Sequence, residues 1–239
     1  MIIVNKASFF RGLFLLVSFV VLFAIILSPV FPGAKGEKVS GLDFADNLFN
    51  RLSKGSSWFI PDVTERVKSM NGKEVTVAVT LKKAASAEAV SKMFTAIGAT
   101  SSAEGAALRV KGDLGKILGA IVADCDAIYH DKPEPVSAKY GGMDGYAALK
   151  LWWEGLQPMI KELQKDKLLN EARMVDLVIR KGIEPAYNFQ GIEIGSVSKE
   201  ATLMAALLCF YVVYTLWYGF AFFELSTGVG MTMTKAKKA

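Results

Sequence analysis

The sequence predicts an α+β membrane protein in which two transmembrane helices flank a folded domain on the extracytoplasmic side. Two uncharged apolar runs, one near each end of the 239-residue chain, are the first observation. Strand-like and helix-like apolar patterns alternate between them, which is the second. The third is that the net charge is +5 although residues 33–198 contain 22 Lys or Arg and 21 Asp or Glu. The basic excess therefore belongs to the ends of the chain, and nucleic acid is not expected as a partner.

The first uncharged run covers residues 12–31 and follows Lys6 and Arg11. A helix of this length, at about 1.5 Å per residue, spans a hydrocarbon core of about 30 Å, so we predict a transmembrane helix over residues 12–32. The alternative is a cleaved signal peptide. The run is longer than the apolar region of such peptides, and Pro32 occupies a position that favours a small residue, so an uncleaved anchor is the preferred interpretation.

The second uncharged run covers residues 201–223 and predicts a transmembrane helix over residues 199–224. Helical spacing places four hydroxyl side chains on one of its faces: Tyr211, Tyr214, Thr215 and Tyr218. Hydroxyl groups in lipid favour a hydrogen-bond partner, so this stripe is predicted to contact the first segment, another copy of the chain or a foreign subunit. The alternative is that the hydroxyls bond to the backbone of their own helix.

The short tails decide the predicted orientation, because long loops cross the membrane largely regardless of their charge. Lys6 and Arg11 lie in the N-terminal tail, residues 1–11, and three lysines lie in the C-terminal tail, residues 225–239. Basic residues favour the cytoplasmic side. We therefore predict a two-pass protein of the inner (plasma) membrane, with both termini cytoplasmic and residues 33–198 outside.

Residues 33–72 are predicted to form two membrane-proximal helices. Ser40 is a typical N-cap, and the apolar stripe that follows it ends before Gly55, so the first helix is amphipathic and is expected to lie close to the membrane. The second helix is predicted to begin at Pro61 and to end near Met70.

Residues 73–132 carry the strand patterns. Apolar side chains alternate with polar or small ones over residues 75–81, which predicts a half-buried strand. A helix, a hairpin that turns at Gly105 and a second helix capped by Asp113 follow it. This order resembles most of a ferredoxin-like βαββαβ sandwich over about 55 residues. The final strand is not evident, and short apolar stretches further along the chain are the candidates for it.

Residues 133–198 are predicted to be a long helical segment, because apolar residues recur at spacings of three and four over most of it. Pro158 should kink or restart the helix, and Gly182 should end it. Trp152 and Trp153 point to different sides of the helix. One of the two, Trp152, is therefore expected at a partner interface.

No catalytic, cofactor or metal chemistry is expected. The single histidine, His130, lies at a predicted helix end and is interpreted as structural or solvated. Cys125 falls on the apolar face of a predicted helix and is expected to be a buried, unpaired thiol, and Cys209 lies in the second apolar run. Nucleophile elbows, phosphate loops, zinc-protease motifs and dinucleotide fingerprints are not found in the sequence.

A non-catalytic accessory or scaffold subunit of a larger membrane complex agrees best with these features. Its expected partners are the lipid bilayer and other membrane subunits, or further copies of the chain. Two alternatives remain: an extracytoplasmic ligand-binding sensor that signals through a partner, and a homo-oligomeric channel of two-helix subunits. The two apolar runs contain no ionisable residue to line a pore, which disfavours the channel.

Reporter fusions test the predicted orientation. A reporter that is active only outside the cytoplasm should be inactive when fused after Ala239 and active when inserted within residues 133–143. A reporter that is active only in the cytoplasm should give the opposite pattern. Extracytoplasmic activity at the C-terminus would contradict the prediction that the tails are cytoplasmic.

Overall fold

The computed structural model describes residues 3–33 and 36–231, which form an α+β protein with small sheets. The chain divides into two compact units. The terminal unit comprises the described residues of 1–52 and 194–239, and the central domain is Ser53–Glu193. The three lysines of the predicted basic tail lie outside the described residues.

Helices and strands are distributed over both units. In chain order they are α1 (Lys6–Leu27), β1 (Phe31–Pro32), β2 (Lys38–Val39), α2 (Gly41–Ser56), α3 (Ile60–Val67), a 3-10 turn (Lys68–Met70), β3 (Glu74–Thr80), α4 (Ala84–Ala96), β4 (Thr100–Glu104), β5 (Ala107–Asp113), α5 (Leu114–Tyr129), α6 (Glu134–Lys139), α7 (Gly145–Lys165), α8 (Leu169–Val178), a π-helical turn (Ile179–Ile183), α9 (Glu184–Asn188) and α10 (Val197–Gly228).

Helix α1 lies closer to the N-terminus than the predicted residues 12–32. The Asn5 side chain caps it by accepting a hydrogen bond from the Ser8 amide at 3.1 Å. The helix ends before Ser28, which is extended, as residues that precede a proline tend to be. Capping and proline therefore fix the ends of the helix, and the apolar run alone does not.

Helices α1 and α10 are both long and apolar enough to cross a membrane. They contain 22 and 32 residues. At about 1.5 Å per residue each exceeds a hydrocarbon core of about 30 Å. The predicted second segment, residues 199–224, lies wholly within α10.

The two long helices pack against each other through glycine. A Cβ atom at Gly12 would lie 2.6 Å from the amide nitrogen of Leu225, and one at Gly228 would lie 2.6 Å from the Cα of Phe9. No side chain larger than hydrogen fits at these distances without moving a backbone. Small residues allow the same close approach between helices in membranes, where it increases van der Waals contact.

Helix α2 begins as the sequence predicts. The Ser40 hydroxyl accepts a hydrogen bond from the Asp43 amide at 3.1 Å and donates one to the Asp43 carboxylate at 2.7 Å. Leu48 and Leu52 of the predicted apolar stripe are buried, whereas Phe49 is exposed. A ladder of two residue pairs, β1 with β2, precedes this helix.

The central domain contains a three-stranded antiparallel sheet with the order β3-β5-β4. Val77 of β3 and Ser101 of β4 both lie opposite Val110 of the middle strand. Burial alternates along β3, which confirms the predicted half-buried strand. Gly105 turns the hairpin between β4 and β5 with a φ of 59°. Helices α4 and α5 pack against this sheet.

The helical segment is interrupted at other places than predicted. Helix α7 continues through Pro158, which has no amide hydrogen to donate to the Glu154 carbonyl. Glu154 itself is partly exposed. The chain breaks instead at Lys167, which has a φ of 61°. Gly182 does not end the helix but lies in the π-helical turn, where an added Cβ would meet the Cys125 sulfur at 3.5 Å. That distance is an ordinary van der Waals contact, so an alanine side chain would fit there.

Replacing Gly12 by alanine should separate α1 from α10, because the added Cβ clashes with backbone atoms. Overpacking of this kind costs roughly 1–3 kcal/mol, and we expect faster hydrogen exchange of the amides of both helices in detergent. Gly219→Ala in α10 is the matched control, since none of the described atoms lies within 4 Å of its added Cβ. Equal exchange in the two variants would show that the glycine contact does not hold the helices together.

Candidate functional site

The predicted hydroxyl stripe of α10 divides between two environments. Tyr214 faces α1: its ring stacks on Phe19 with centroids 4.3 Å apart, and its buried hydroxyl has no hydrogen-bond partner among the described residues. Tyr218 lies 5.2 Å from the same ring but is half exposed. Tyr211 is 67% exposed, and its carbonyl accepts the Thr215 hydroxyl at 2.8 Å. Tyr211 and Tyr218 are therefore the two tyrosines of the stripe that another chain could reach.

Glu224 forms a polar contact between the helices that the sequence analysis missed. Its Oε1 lies 3.8 Å from Nη1 of Arg11, and its buried Oε2 has no hydrogen-bond partner in the described part of the chain. Trp217 donates from Nε1 to the Leu15 carbonyl at 3.2 Å. The detectable signal was an acidic residue at the end of one apolar run and a basic residue at the start of the other.

Trp152 is buried, so the prediction that it lies at a partner interface is wrong. It is 0% exposed, and its Nε1 donates to the Asp124 carboxylate at 3.2 Å. Its ring meets Phe94 edge-on at 4.9 Å. Trp153 is 37% exposed and is the tryptophan of this pair that a partner can reach. Adjacent helical residues point about 100° apart, but spacing alone does not tell which one faces the core.

Asp124 is the centre of a buried polar cluster in the central domain. Besides Trp152, its carboxylate accepts hydrogen bonds from Lys139 Nζ at 2.8 Å and from the Tyr140 hydroxyl at 2.5 Å. Burial, together with this bond to Asp124, raises the pKa of Tyr140, so the phenol remains a donor. Every partner stabilises the charged carboxylate. The cluster is therefore suited to fixing α5, α6 and α7 in place.

A second buried charge lies where the chain enters and leaves the central domain. Lys54 is 0% exposed, and its Nζ donates to Asp131 Oδ2 at 2.8 Å and to the Ile192 carbonyl at 2.6 Å. Oδ1 of Asp131 accepts the Gly191 amide at 2.7 Å. The Tyr129 hydroxyl donates to the Lys54 carbonyl. These bonds join the first, middle and last segments of the domain.

His130 and Cys125 both contact other residues of the central domain. Nδ1 of His130 lies 2.9 Å from the Asp126 carbonyl oxygen, and its ring meets Trp58 edge-on at 5.7 Å. Cys125 is buried and unpaired, and burial raises the pKa of its thiol; Cys209 is exposed on α10. Within residues 3–33 and 36–231, His, Cys, Asp and Glu side chains form no group of three or more that could hold a metal ion.

Comparisons of the chain with protein-family models, curated proteins and solved structures find no match. The function must therefore be inferred from the geometry of the chain itself. Two surfaces present side chains suited to recognition: the outer side of α10 with Tyr211 and Tyr218, and the outer side of α7 with Trp153.

Asp124→Ala should strongly destabilise the central domain, because it leaves the Lys139 ammonium and two further donors without their acceptor. Breaking a buried ion pair costs about 3–5 kcal/mol. Because the Lys139 side chain is 30% exposed and can reach water, we expect about 2–3 kcal/mol, measured by urea unfolding.

The matched control is Asp176→Ala, which breaks a surface ion pair with Arg180 in which the two side chains are 37% and 69% exposed. Pairs of this kind contribute less than about 1 kcal/mol. If both variants lose the same free energy of unfolding, the buried cluster has no special structural role.

Proposed function

We propose that the chain is a non-catalytic accessory or scaffold subunit of a larger membrane complex. In this proposal α1 and α10 cross the inner (plasma) membrane, both tails are cytoplasmic and the central domain lies outside. The observation that supports it most is the exposed Tyr211 hydroxyl near the middle of α10, on a helix pair whose exposed surface is mainly apolar.

Tyr211 needs a partner if α10 lies in lipid. It is 67% exposed, and within the described chain its hydroxyl makes no hydrogen bond. Water would satisfy the group, but hydrocarbon does not, and an unpaired hydroxyl costs roughly 1–3 kcal/mol. An acceptor on a helix of another subunit would satisfy it, and such interhelical bonds are worth about 0.6–2 kcal/mol. Tyr218, two turns further along, extends the same surface.

The rest of the exposed surface of α1 and α10 suits lipid. Large apolar side chains face outward along both helices: Val17, Val20, Val21, Phe23, Leu208, Val212, Leu216, Phe220 and Phe223. The Tyr214 hydroxyl and the Glu224 Oε2 atom are instead buried. This arrangement is the reverse of a helix pair in water, where the apolar side chains would be enclosed and the polar groups exposed.

The central domain supports a scaffold role through its buried, hydrogen-bonded charges. The charges of Asp124 and Lys54 are buried and hydrogen-bonded, which stabilises a fixed structure. Its order β3-β5-β4 places the third strand between the first two, as in a ferredoxin-like sandwich. We propose that the domain is such a sandwich without its last strand. A fold of this kind does not by itself specify a ligand.

Tyr211→Phe tests the proposed contact in the membrane. The substitution removes one oxygen atom and keeps the ring, so we expect normal insertion, normal amounts in the membrane and loss of the co-purifying subunit in mild detergent. Native gels and mass spectrometry of the purified complex are the measurements.

Tyr214→Phe is the matched control, because it removes a hydroxyl that is buried against α1 and has no hydrogen-bond partner in the described structure. This variant should keep its partner. An unchanged complex in Tyr211→Phe would remove the main support for the subunit proposal.

A further inference from the structure

The outer edge of β3 carries unpaired backbone groups. At its two ends, Leu81 donates to the Ala106 carbonyl and Leu114 donates to the Lys73 carbonyl, both at 2.9 Å. Hydrogen bonding alternates along an antiparallel pair, so the odd-numbered residues of β3 bond to β5. The amides and carbonyls of Thr76, Ala78 and Thr80 consequently point to the outer edge. No described strand pairs with them there.

Helix α7 forms the other wall of a groove along this edge. A cleft of 550 Å³ is lined by Ala78 and Thr80 of β3 and by Pro158 of α7, and a cleft of 370 Å³ shares Thr80 and Pro158 with it. The second cleft shares Trp153 with a third of 330 Å³, which extends to Tyr187 of α9. We call the three adjoining clefts the groove: two of them lie between the edge of β3 and α7, and the third lies between α7 and α9, all within the central domain.

Trp153 offers an apolar anchor at the centre of the groove. It borders two of the three clefts and is 37% exposed. Its Nε1 donates to Glu184 at 3.3 Å, which holds the indole ring in one orientation. Exposed, oriented tryptophans are frequent anchors of binding energy at protein interfaces.

The charges of the groove favour an acidic occupant. Four lysines line it and form no ion pair within the described chain: Lys82, Lys83, Lys150 and Lys161. Among the acidic residues of the lining, Glu162 is paired with Lys165, and two carboxylates, Glu154 and Glu184, form no ion pair in the described structure and face the four lysines. Positive charge therefore predominates.

We propose that an extended, acidic segment of a partner protein binds in this groove and adds to β3 as a fourth strand. Its backbone would pair with Thr76, Ala78 and Thr80, alternate apolar side chains would face α7 and Trp153, and acidic side chains would approach Lys82 and Lys83. This is the β-augmentation mode, in which main-chain hydrogen bonds supply affinity and side-chain contacts supply specificity. The proposal deepens the subunit function by naming the kind of partner, and it rests on that function.

A blocked seven-residue peptide of alternating valine and glutamate is the probe, and the same peptide with lysine in place of glutamate is its control. Titrated onto the full chain in detergent, the glutamate peptide should bind saturably below about 1 mM and at least about tenfold more tightly than the lysine peptide. Hydrogen exchange at Thr76, Ala78 and Thr80 should slow when it is bound. No saturable binding, equal binding of both peptides, or unchanged exchange in β3 would overturn the proposal.

Ala78→Pro tests the strand edge. The substitution removes an amide that points away from β5, so the β3–β5 ladder keeps all of its donors. We therefore expect at least about tenfold weaker binding of the glutamate peptide. Ala103→Pro is the matched control, because the same alternation directs the Ala103 amide to the opposite edge of the sheet, away from β5. Equal weakening in both variants would place the peptide elsewhere.

A charge reversal provides a test that does not alter the backbone. Lys82→Glu combined with Lys83→Glu should invert the preference, so that the lysine peptide binds more tightly than the glutamate peptide. An unchanged preference would overturn the proposal, as would dimers of the chain that exclude the peptide, since a second copy would then occupy the edge. These experiments do not involve α10, so their failure is distinguishable from failure of the subunit proposal at Tyr211.

Discussion

The Lys54 ammonium lies fully buried at the point where the chain enters the central domain, and the rest of the domain depends on how this charge is stabilised. Moving an ammonium group out of water is costly unless it is paired and hydrogen-bonded. Asp131 supplies the counter-charge, and the Ile192 carbonyl supplies a second acceptor from the last segment of the domain. Asp131 reaches this position from a positive φ of 54°, which is rare for a residue other than glycine.

Local patterns in the sequence predicted most elements but not what they contact. The alternation over residues 75–81, the turn at Gly105 and the cap at Ser40 each depend on neighbours within a few positions, and each is present in the structure. The break at Lys167 is also local, since the Leu168 amide donates to the Leu163 carbonyl at 2.8 Å around the positive φ of Lys167, but no glycine marks it in the sequence. The continuous helix at Pro158 is different, because the buried residues Leu156, Met159 and Leu163 hold α7 together on both sides of the proline. Burial of a helix against other elements can outweigh the preference of a single residue.

Residue spacing also fails to predict how α10 is rotated about its own axis relative to α1. The spacing of Tyr211, Tyr214 and Tyr218 predicts one shared face of α10, but it does not show which of the three side chains faces α1. The close approach at Gly12 and Gly228 fixes that rotation, since only one side of each helix lacks a Cβ there. The acceptors of Trp152 and Lys54 were likewise unpredictable, because they lie far away in sequence.

The first and last segments of the central domain meet at Lys54, and this affects how the domain can be joined to the two long helices in sequence. Because the first and last segments of the domain meet at one ammonium group, the folded body begins and ends at nearly the same place. A body with adjacent ends behaves as an insert: it can occupy the connection between two helices without stretching that connection. Two helices and an insert can then diverge separately, since a change inside one imposes no change of length on the other.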